Sequence, residues 1–241
     1  MIDTSKSPPS KEKLDVKEGV LARAKQILIM FLIMGMELFL GAGTLDWIWA
    51  WVFLGIGLLS VSINAIYMMR TSPETIAERG RPKETKDWDK WIAGIWYLGQ
   101  YLLLPLIAAL DIRFGWTGEI PIGWHLLGAV GYTLSLGLTG WAMITNAYFS
   151  TAVRIQSDRG QQVCNTGPYH YVRHPGYVGF FFQALSVPIL LGSLWAMLFA
   201  IPIAVLMSIR TAKEDLMLQE ELPGYKEYAQ EVKYRLLPGV W

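Results

Sequence analysis

Long apolar runs alternate with short polar segments along the chain. A helix needs about 20 apolar residues to cross a hydrocarbon core of roughly 30 Å, because every backbone N–H and C=O must be paired within the lipid. The sequence has such runs at 26–44, 47–69, 92–110, 124–145 and, longest of all, 177–209. This pattern predicts an all-α, polytopic membrane helix bundle.

The last run is too long for a single crossing. It contains a small polar break, Leu191-Gly192-Ser193. We therefore predict that the run forms a hairpin of two helices, over 177–191 and 194–221, which gives about six spans in all. The second helix of the hairpin is expected to leave the bilayer at Arg210.

The distribution of positive charge favours the same division. Of the 21 Lys and Arg, six precede residue 27, six lie in 70–91, three lie in 146–176 and five lie in 210–241, which leaves only Arg113 elsewhere. Six spans with both termini cytoplasmic place all but Arg113 on the cytoplasmic side, as the positive-inside tendency expects. A single final span would move the last five to the other side.

These runs divide the chain into three parts. Residues 1–22 are expected to be a disordered cytosolic tail. Residues 23–145 would hold the first four membrane helices, with a charged cytosolic loop at 70–91 that is expected to be solvated and to face lipid headgroups. Residues 146–241 would form the functional core, with the terminal hairpin and a cytosolic tail.

Two short polar segments are predicted to be helical. Thr71 and Glu74 stand at capping-box spacing with Pro73 in the first turn, which predicts a helix start in the charged loop. A second segment has aromatic and aliphatic residues on one face, which predicts a short amphipathic helix lying on the membrane. Its apolar residues are Tyr225, Tyr228 and Val232.

Composition excludes several classes of function. With 53% hydrophobic residues and a mean hydropathy of +0.31, the chain is too apolar for a soluble domain of 241 residues. A net charge of +1, held in scattered clusters, gives no support for nucleic-acid binding. The single Cys164 excludes an internal disulfide, and one cysteine with three scattered histidines makes no metal site.

Glu37 is the only acid within the first apolar run. Because a carboxylate is costly in lipid, we expect its side chain to face the helix bundle or a cavity.

The most polar motif is "GPYHYVRHPGYVG" at 167–179. Gly-Pro turns the chain, and Pro175 allows a new helix to start at the membrane surface. Arg173 then lies near a helix N-terminus, a good place for a carboxylate or phosphate. The alternative is an interfacial belt, in which tyrosines anchor at headgroup depth and Arg173 extends to the interface.

A second polar cluster follows the final run. The hairpin returns the chain to its starting side, so that Arg210 and Glu214 are expected to lie beside Arg173 and His174. One surface would then carry both an anion receptor and a carboxylate. Alternatively, Arg210 and Glu214 form an ordinary ion pair on the helix surface, worth only about 0.3–0.5 kcal/mol.

At these residues the sequence resembles the superfamily of isoprenylcysteine carboxyl methyltransferases and phospholipid methyltransferases, which are integral-membrane enzymes dependent on S-adenosylmethionine. The resemblance covers roughly 140–241: the motif at 167–179, the hairpin, and the tail "GYKEYAQEVKYRLLPGVW". Residues 1–139 are similar only as hydrophobic spans. A bacterial or archaeal inner membrane, with the site facing the cytosol, is the expected location.

The resemblance implies that the Arg-His-Pro-x-Tyr segment and a carboxylate after the hairpin enclose the cofactor. The matching positions are Tyr169, Arg173, His174, Pro175, Tyr177 and Gly179 in the first motif, and Glu214, with Asp215 as the alternative, in the second. Gln161 occupies a position where many members of the superfamily have histidine. It is the remaining candidate for cofactor contact.

The same resemblance implies the roles of individual residues. Arg173 and Glu214 are the candidate catalytic residues. Arg173 would bind the methionyl carboxylate, Glu214 the ammonium or the ribose hydroxyls, and tyrosine rings the sulfonium or the adenine. Arg154 and Arg210 are candidates for contact with the acceptor, although Arg154 also suits a plain positive-inside arginine. No metal is expected.

The sequence is compatible with several functions. The leading hypothesis is methylation of a lipophilic acceptor within the membrane, of the isoprenylcysteine type, with a phospholipid amine or a small thiol as alternative acceptors. A second class is an NADPH-dependent membrane sterol or enone reductase, which needs a basic cluster to bind the cofactor phosphate. A third is a non-catalytic scaffold or transporter, in which the polar cluster would be only an interfacial belt.

Overall fold

A computed structural model describes residues 11–80 and 85–241, with side chains from Asp15 onward. These ranges contain helices, one π-helical turn and two 3₁₀ turns, and no strand, which confirms the predicted all-α class. The helices are α1 (Lys11–Ala42), α2 (Ile48–Thr71), α3 (Pro73–Gly80), α4 (Asp87–Leu98), α5 (Leu104–Phe114), α6 (Ile122–Thr145), α7 (Pro175–Leu191), α8 (Leu194–Glu221) and α9 (Tyr225–Glu231).

Five helical stretches among the described residues are long and apolar enough to cross a membrane. They are Asp15–Ala42, Ile48–Thr71, Asp87–Phe114, Ile122–Thr145 and Leu194–Glu221. The third joins α4 to α5 through a π-helical turn, Gly99–Leu103, which the sequence pattern does not predict. Helix α7 is apolar but has only 17 residues. The count of six spans and the cytosolic position of the termini therefore stay predictions.

The predicted hairpin break is confirmed, because α7 ends at Leu191 and α8 begins at Leu194. Gly192 adopts a left-handed conformation (φ 78°), which glycine tolerates, and its N–H donates to the Pro188 carbonyl at 2.9 Å. The Ser193 hydroxyl oxygen accepts from the Ala196 N–H at 3.0 Å and caps α8. This tight turn sends α8 back beside α7.

The polar segments gather at one end of the bundle. We call this the polar end: it comprises α3, the start of α4, residues 146–174, the end of α8, and α9. The Thr75 hydroxyl donates to the Ala147 carbonyl at 2.9 Å, and the Arg79 Nε to the Phe149 carbonyl at 3.0 Å, so that α3 is joined to the segment after α6.

The opposite end holds the hairpin turn. There the Ser193 hydroxyl donates to the Asp111 carboxylate at 2.5 Å, and the backbone N–H of Thr117 donates to the same carboxylate at 2.7 Å. Fully buried side chains such as Leu104, Leu190 and Met207 fill the space between the two ends.

Four sequence predictions need correction. The tail predicted over 1–22 is helical from Lys11, where α1 begins, and residues 1–10 lie outside the described residues. The loop at 70–91 is not simply solvated, because α3 buries five of its eight residues against neighbouring helices; residues 81–84 are outside the described ranges. Pro73 does begin α3, but the Thr71 hydroxyl donates to the Tyr67 carbonyl and does not cap it.

The fourth correction concerns α9. Tyr225 and Tyr228 are 4% and 5% exposed, so the apolar face packs inside the polar end and does not lie on the membrane. The Tyr228 hydroxyl donates to the Tyr169 carbonyl at 2.6 Å, which fixes α9 to the motif at 167–179.

Glu37, the acid within the first apolar run, is half-buried, and its Oε2 has no hydrogen-bond partner among the described residues.

Candidate active site

The corner at residues 167–175 turns the chain into α7, which begins at Pro175. The backbone N–H of Arg173 donates to the Tyr234 carbonyl at 2.9 Å, and the following N–H donates to the Arg235 carbonyl at 3.0 Å. The segment after α9 therefore lies against the corner and fixes its backbone.

Asp215 is the centre of the hydrogen-bond network at the polar end. Its carboxylate is fully buried on α8. Its oxygens lie within hydrogen-bond distance of Arg173 Nε (2.7 Å) and Nη2 (3.0 Å), Arg235 Nε (2.8 Å), Gln219 Nε2 (2.8 Å), Tyr225 OH (3.1 Å) and His174 Nε2 (3.2 Å). One acid thus joins the corner, α8, α9 and the segment after α9.

Arg173 uses most of its donors within the protein. Its forked guanidinium binds Asp215, and Nη1 donates to the carbonyls of Val232 and Lys233 at 2.8 and 2.9 Å. Although burial favours the neutral form, the hydrogen bonds to Asp215 raise the pKa of Arg173 above its usual value, so the side chain stays charged. The Arg173 guanidinium was predicted to bind the methionyl carboxylate of the cofactor. In the structure its Nε and Nη2 donors bind Asp215 instead.

Glu214 and Asp215, the two candidate carboxylates, occupy different positions on α8. Asp215 points into the framework, whereas Glu214 is half-buried and lines a cleft. Glu214 accepts a short hydrogen bond from the Tyr177 hydroxyl. In the part of the chain that the structure describes, no arginine or lysine nitrogen lies within 4.0 Å of the Glu214 carboxylate.

This cleft opens between the segment after α6, the start of α7 and the end of α8. Aromatic rings of Tyr148, Phe149, Tyr169 and Tyr177 contribute to its walls. Of the residues predicted from the sequence, the structure brings to the cleft Gln161, Tyr169, Arg173, His174, Tyr177 and Glu214, together with Arg154. Both polar motifs, the one at 167–179 and the one after the final apolar run, therefore contribute to the cleft.

Three predicted residues lie outside the cleft. Pro175 is buried in the first turn of α7. Gly179 packs against α6, where a Cβ on this glycine would overlap the Thr139 side chain. Arg210 does not line the cleft, because its guanidinium is directed to another acid. Pro175 and Gly179 therefore serve helix entry and close helix packing.

Two of the residues that line the cleft use their polar atoms on neighbours. Arg154 forms ion pairs with Glu78 at 2.7 Å and Asp158 at 2.8 Å, and its side chain is only 9% exposed. Gln161 Oε1 accepts the backbone N–H of Gln156 at 2.6 Å. Arg154 is thus already neutralised, and both side chains shape the wall of the cleft.

Arg210 pairs with Asp89 and not with Glu214. Its Nε and Nη2 donate to the Asp89 carboxylate at 2.7 and 3.0 Å, and Asp89 also accepts the Val153 N–H at 3.0 Å. Asp89, only 1% exposed, therefore joins the start of α4 to α8 and to the wall of the cleft. Sequence reasoning missed this acid; the available signal is that Asp89 shares a helical face with the buried Trp96.

Buried phenols complete the framework. Burial raises the pKa of Tyr169, Tyr225 and Tyr228 above the usual value for tyrosine. These hydroxyls therefore remain protonated at neutral pH and act as donors, to the carboxylate of Asp215 in the case of Tyr225.

Comparison with known proteins agrees with this arrangement. Residues 130–220 match the Isoprenylcysteine carboxyl methyltransferase (ICMT) family, a range that contains the cleft-lining parts of α7 and α8. The chain is also 34% identical over 103 residues to "Uncharacterized protein YpbQ" of Bacillus subtilis (strain 168), across 42% of this chain and 60% of that relative. The resemblance to the isoprenylcysteine carboxyl methyltransferase superfamily is therefore confirmed over residues 130–220.

Proposed function

We propose that the chain is an integral-membrane methyltransferase that uses S-adenosylmethionine and acts on a lipophilic acceptor. One observation carries the proposal: Glu214 presents a carboxylate, unpaired with any arginine or lysine among the described residues, to a cleft with aromatic walls. Such a site suits a cation, because the carboxylate supplies charge and ring faces attract positive groups. The match to the ICMT family supports the same conclusion.

The residues present fit the cofactor. When bound, S-adenosylmethionine supplies an electrophilic methyl group on a positively charged sulfur. Glu214 would bind the ammonium or the ribose hydroxyls, and the rings of Tyr148, Tyr169 and Tyr177 would contact the sulfonium or the adenine. Arg173 stays beside the cleft, where its charge is balanced by Asp215.

The protein contributes mainly by holding groups in position. The Tyr177 hydroxyl orients the Glu214 carboxylate, and the network around Asp215 fixes the corner against α8. Transfer of a methyl group is an in-line displacement, so acceptor, methyl carbon and sulfur must be held collinear. A cleft whose walls include residues on both helices of the hairpin would meet this requirement.

The acceptor must reach the cleft while its hydrophobic part stays in the bilayer, so we propose a lipophilic substrate that enters between helices. An isoprenylcysteine is the leading acceptor, and a phospholipid amine or a small thiol is the alternative. We further propose that the cleft faces the cytosol of a bacterial or archaeal cell, on the basis of the positive-inside pattern.

Reduction with NADPH is a weaker alternative. Binding of the NADPH phosphate requires basic side chains with free donors. Among the described residues that line the cleft, the two arginines are Arg154 and Arg173, and both are paired with carboxylates. The charge in the cleft thus favours a cationic cofactor over an anionic one.

The proposed function is tested by equilibrium binding of radiolabelled S-adenosylmethionine to detergent-purified protein. We expect saturable binding by the wild type and a loss of at least about tenfold in affinity in Glu214→Gln, equivalent to about 1.4 kcal/mol. Glu220→Gln is the matched control, because Glu220 is an exposed acid on the same helix. Saturable NADPH binding without S-adenosylmethionine binding would contradict the proposal.

A further inference from the structure

The arginines at the polar end and beside it fall into two groups. Four form ion pairs with carboxylates: Arg154, Arg173, Arg210 and Arg235. Three others, which we call the arginine cluster, contact only neutral groups among the described residues: Arg23, Arg79 and Arg159. Since a charge held inside a protein is normally paired, the arginine cluster has positive charge to offer to an anion.

Arg79 is the most buried member of the cluster. Its side chain on α3 is part of a residue only 5% exposed. Its Nε donates to the Phe149 carbonyl at 3.0 Å, and its Nη1 lies 3.6 Å from the Met68 sulfur. The remaining nitrogen, Nη2, is buried and has no hydrogen-bond partner among the described residues. Because a buried donor without an acceptor destabilises a protein, Nη2 is available to an oxygen of a ligand.

Arg159 joins the segment after α6 to α3. Its Nη2 donates to the Ala147 carbonyl at 3.1 Å and to the Thr75 hydroxyl at 3.3 Å, and Thr75 lies one turn before Arg79 on α3. Its Nη1 donates to the Gln156 amide oxygen at 2.6 Å. Arg159 is half-buried, so a ligand can reach this member of the cluster from outside.

Arg23 reaches the end of α3 from the first helix. Its Nη1 donates to the Gln26 amide oxygen at 3.3 Å, and Gln26 Nε2 donates to the Gly80 carbonyl at 3.0 Å. Burial, together with the positive charges of Arg23 and Arg159, lowers the pKa of Arg79 to about 9. Arg79 is therefore repelled by both of its neighbours, and an anion placed among the three would relieve that repulsion.

The arginine cluster lies where two candidate spans end. Arg79 Nη1 lies beside Met68, in the last turn of the stretch Ile48–Thr71, and Arg23 is in the third turn of Asp15–Ala42. Helices that cross a bilayer reach the headgroup layer at their ends, and the phosphates of that layer are anionic. The depth of the cluster therefore suits the phosphate of a lipid headgroup.

The cluster is separate from the cleft. None of its three arginines lines the cleft, but two of them lie behind its aromatic wall. The guanidinium carbon of Arg79 lies 5.2 Å from the centroid of the Phe149 ring, and that of Arg159 lies 5.5 Å from the centroid of the Tyr148 ring. An anion held by the cluster would thus adjoin the wall without entering the proposed cofactor site.

We propose that the arginine cluster is a binding site for a phosphate group, supplied by an anionic lipid headgroup or by a phosphate in solution. Arg79 would donate through its free Nη2, and Arg159 and Arg23 would add positive charge. Guanidinium groups suit this ligand because a phosphate has several oxygens that accept charge-assisted hydrogen bonds. The site goes beyond the proposed function, since neither cofactor nor acceptor takes part in it.

The test is the thermal midpoint of the purified protein in a nonionic detergent. The protein is titrated with phosphatidylglycerol, with diacylglycerol of the same acyl chains, with sodium phosphate, and with sodium chloride at equal ionic strength. We expect a saturable rise with phosphatidylglycerol, with sodium phosphate or with both, and no such rise with diacylglycerol or sodium chloride. A rise with phosphatidylglycerol alone assigns the phosphate to a lipid, and a rise with sodium phosphate alone assigns it to the solution.

Arg79→Gln and Arg159→Gln should each weaken this binding by at least about tenfold. Arg159 is half-buried, so its variant keeps the test decisive if Arg79→Gln does not fold. Arg70→Gln is the matched control, because Arg70 is an exposed arginine in the last turn of α2, and it should bind as the wild type does. Absence of a saturable rise beyond that of sodium chloride, or an equal loss in Arg70→Gln, would overturn this inference and leave the proposed function standing.

Discussion

Replacing Asp215 with Asn is expected to abolish cofactor binding and to destabilise the polar end severely. The substitution keeps the shape of the side chain but removes the charge that holds Arg173 and Arg235. Breaking a buried ion pair from one side costs about 3–5 kcal/mol, because the remaining charge is buried without compensation. Thermal unfolding in detergent and binding of S-adenosylmethionine are the two measurements.

Asp87→Asn is the matched control for this substitution. Asp87 has a side chain 95% exposed and contacts Lys90 only at the surface, so neither unfolding nor binding should change measurably. If Asp215→Asn behaved like this control, the network around Asp215 would not be the element that holds the corner against α8.

Gly128→Ala is expected to have the next largest effect, on stability. A Cβ at Gly128 would lie 2.2 Å from the backbone nitrogen of Leu190, so α6 and α7 would have to move apart. Small residues allow this close approach of helices in membranes, and overfilling a packed interface typically costs about 1–3 kcal/mol. The thermal midpoint in detergent should fall, and because α7 carries Tyr177 into the cleft, cofactor affinity should fall as well.

Gly137 provides the control on the same helix. A Cβ at Gly137 meets nothing within 4 Å, so Gly137→Ala should leave the midpoint unchanged or raise it slightly through helix propensity. Equal midpoints for the two alanine variants would show that the close contact between α6 and α7 at Gly128 does not hold the two helices together.

Much of this arrangement can be predicted from the sequence. The Leu-Gly-Ser break marks the hairpin because only a small residue suits the left-handed turn at Gly192 and a hydroxyl suits the cap at Ser193. Once the hairpin is placed, the chain must return to its starting end. The meeting of the corner at 167–175 with the end of α8 follows from that geometry, and the structure places Arg173 against Asp215 there.

The pairing of charges could not be predicted in the same way. Glu214 and Asp215 are chemically similar and adjacent, but a step of one residue rotates a side chain by about 100° around the helix. One therefore faces the cleft and the other the framework, a difference that a local pattern does not show. The pair between Asp89 and Arg210 joins residues 121 positions apart, and only tertiary packing brings them together.

Local preferences were also overridden at α9. The face formed by Tyr225 and Tyr228 is amphipathic, and such a face suits a membrane surface as well as a protein interior. The hydroxyls find specific partners, Asp215 for Tyr225 and the Tyr169 carbonyl for Tyr228. A buried phenol with a hydrogen-bond partner is stable inside the protein, which explains why α9 covers the network and does not lie in the headgroups.

The most direct test of the cofactor cleft is photochemical crosslinking of radiolabelled S-adenosylmethionine to the purified protein, followed by mass-spectrometric mapping of the labelled peptides. The predicted result is a label on residues 146–177 or 214–228, lost when unlabelled cofactor is present in excess and reduced in Glu214→Gln. A competable label confined to peptides outside these two segments, at full strength in Glu214→Gln, would contradict the assignment of this cleft as the cofactor site.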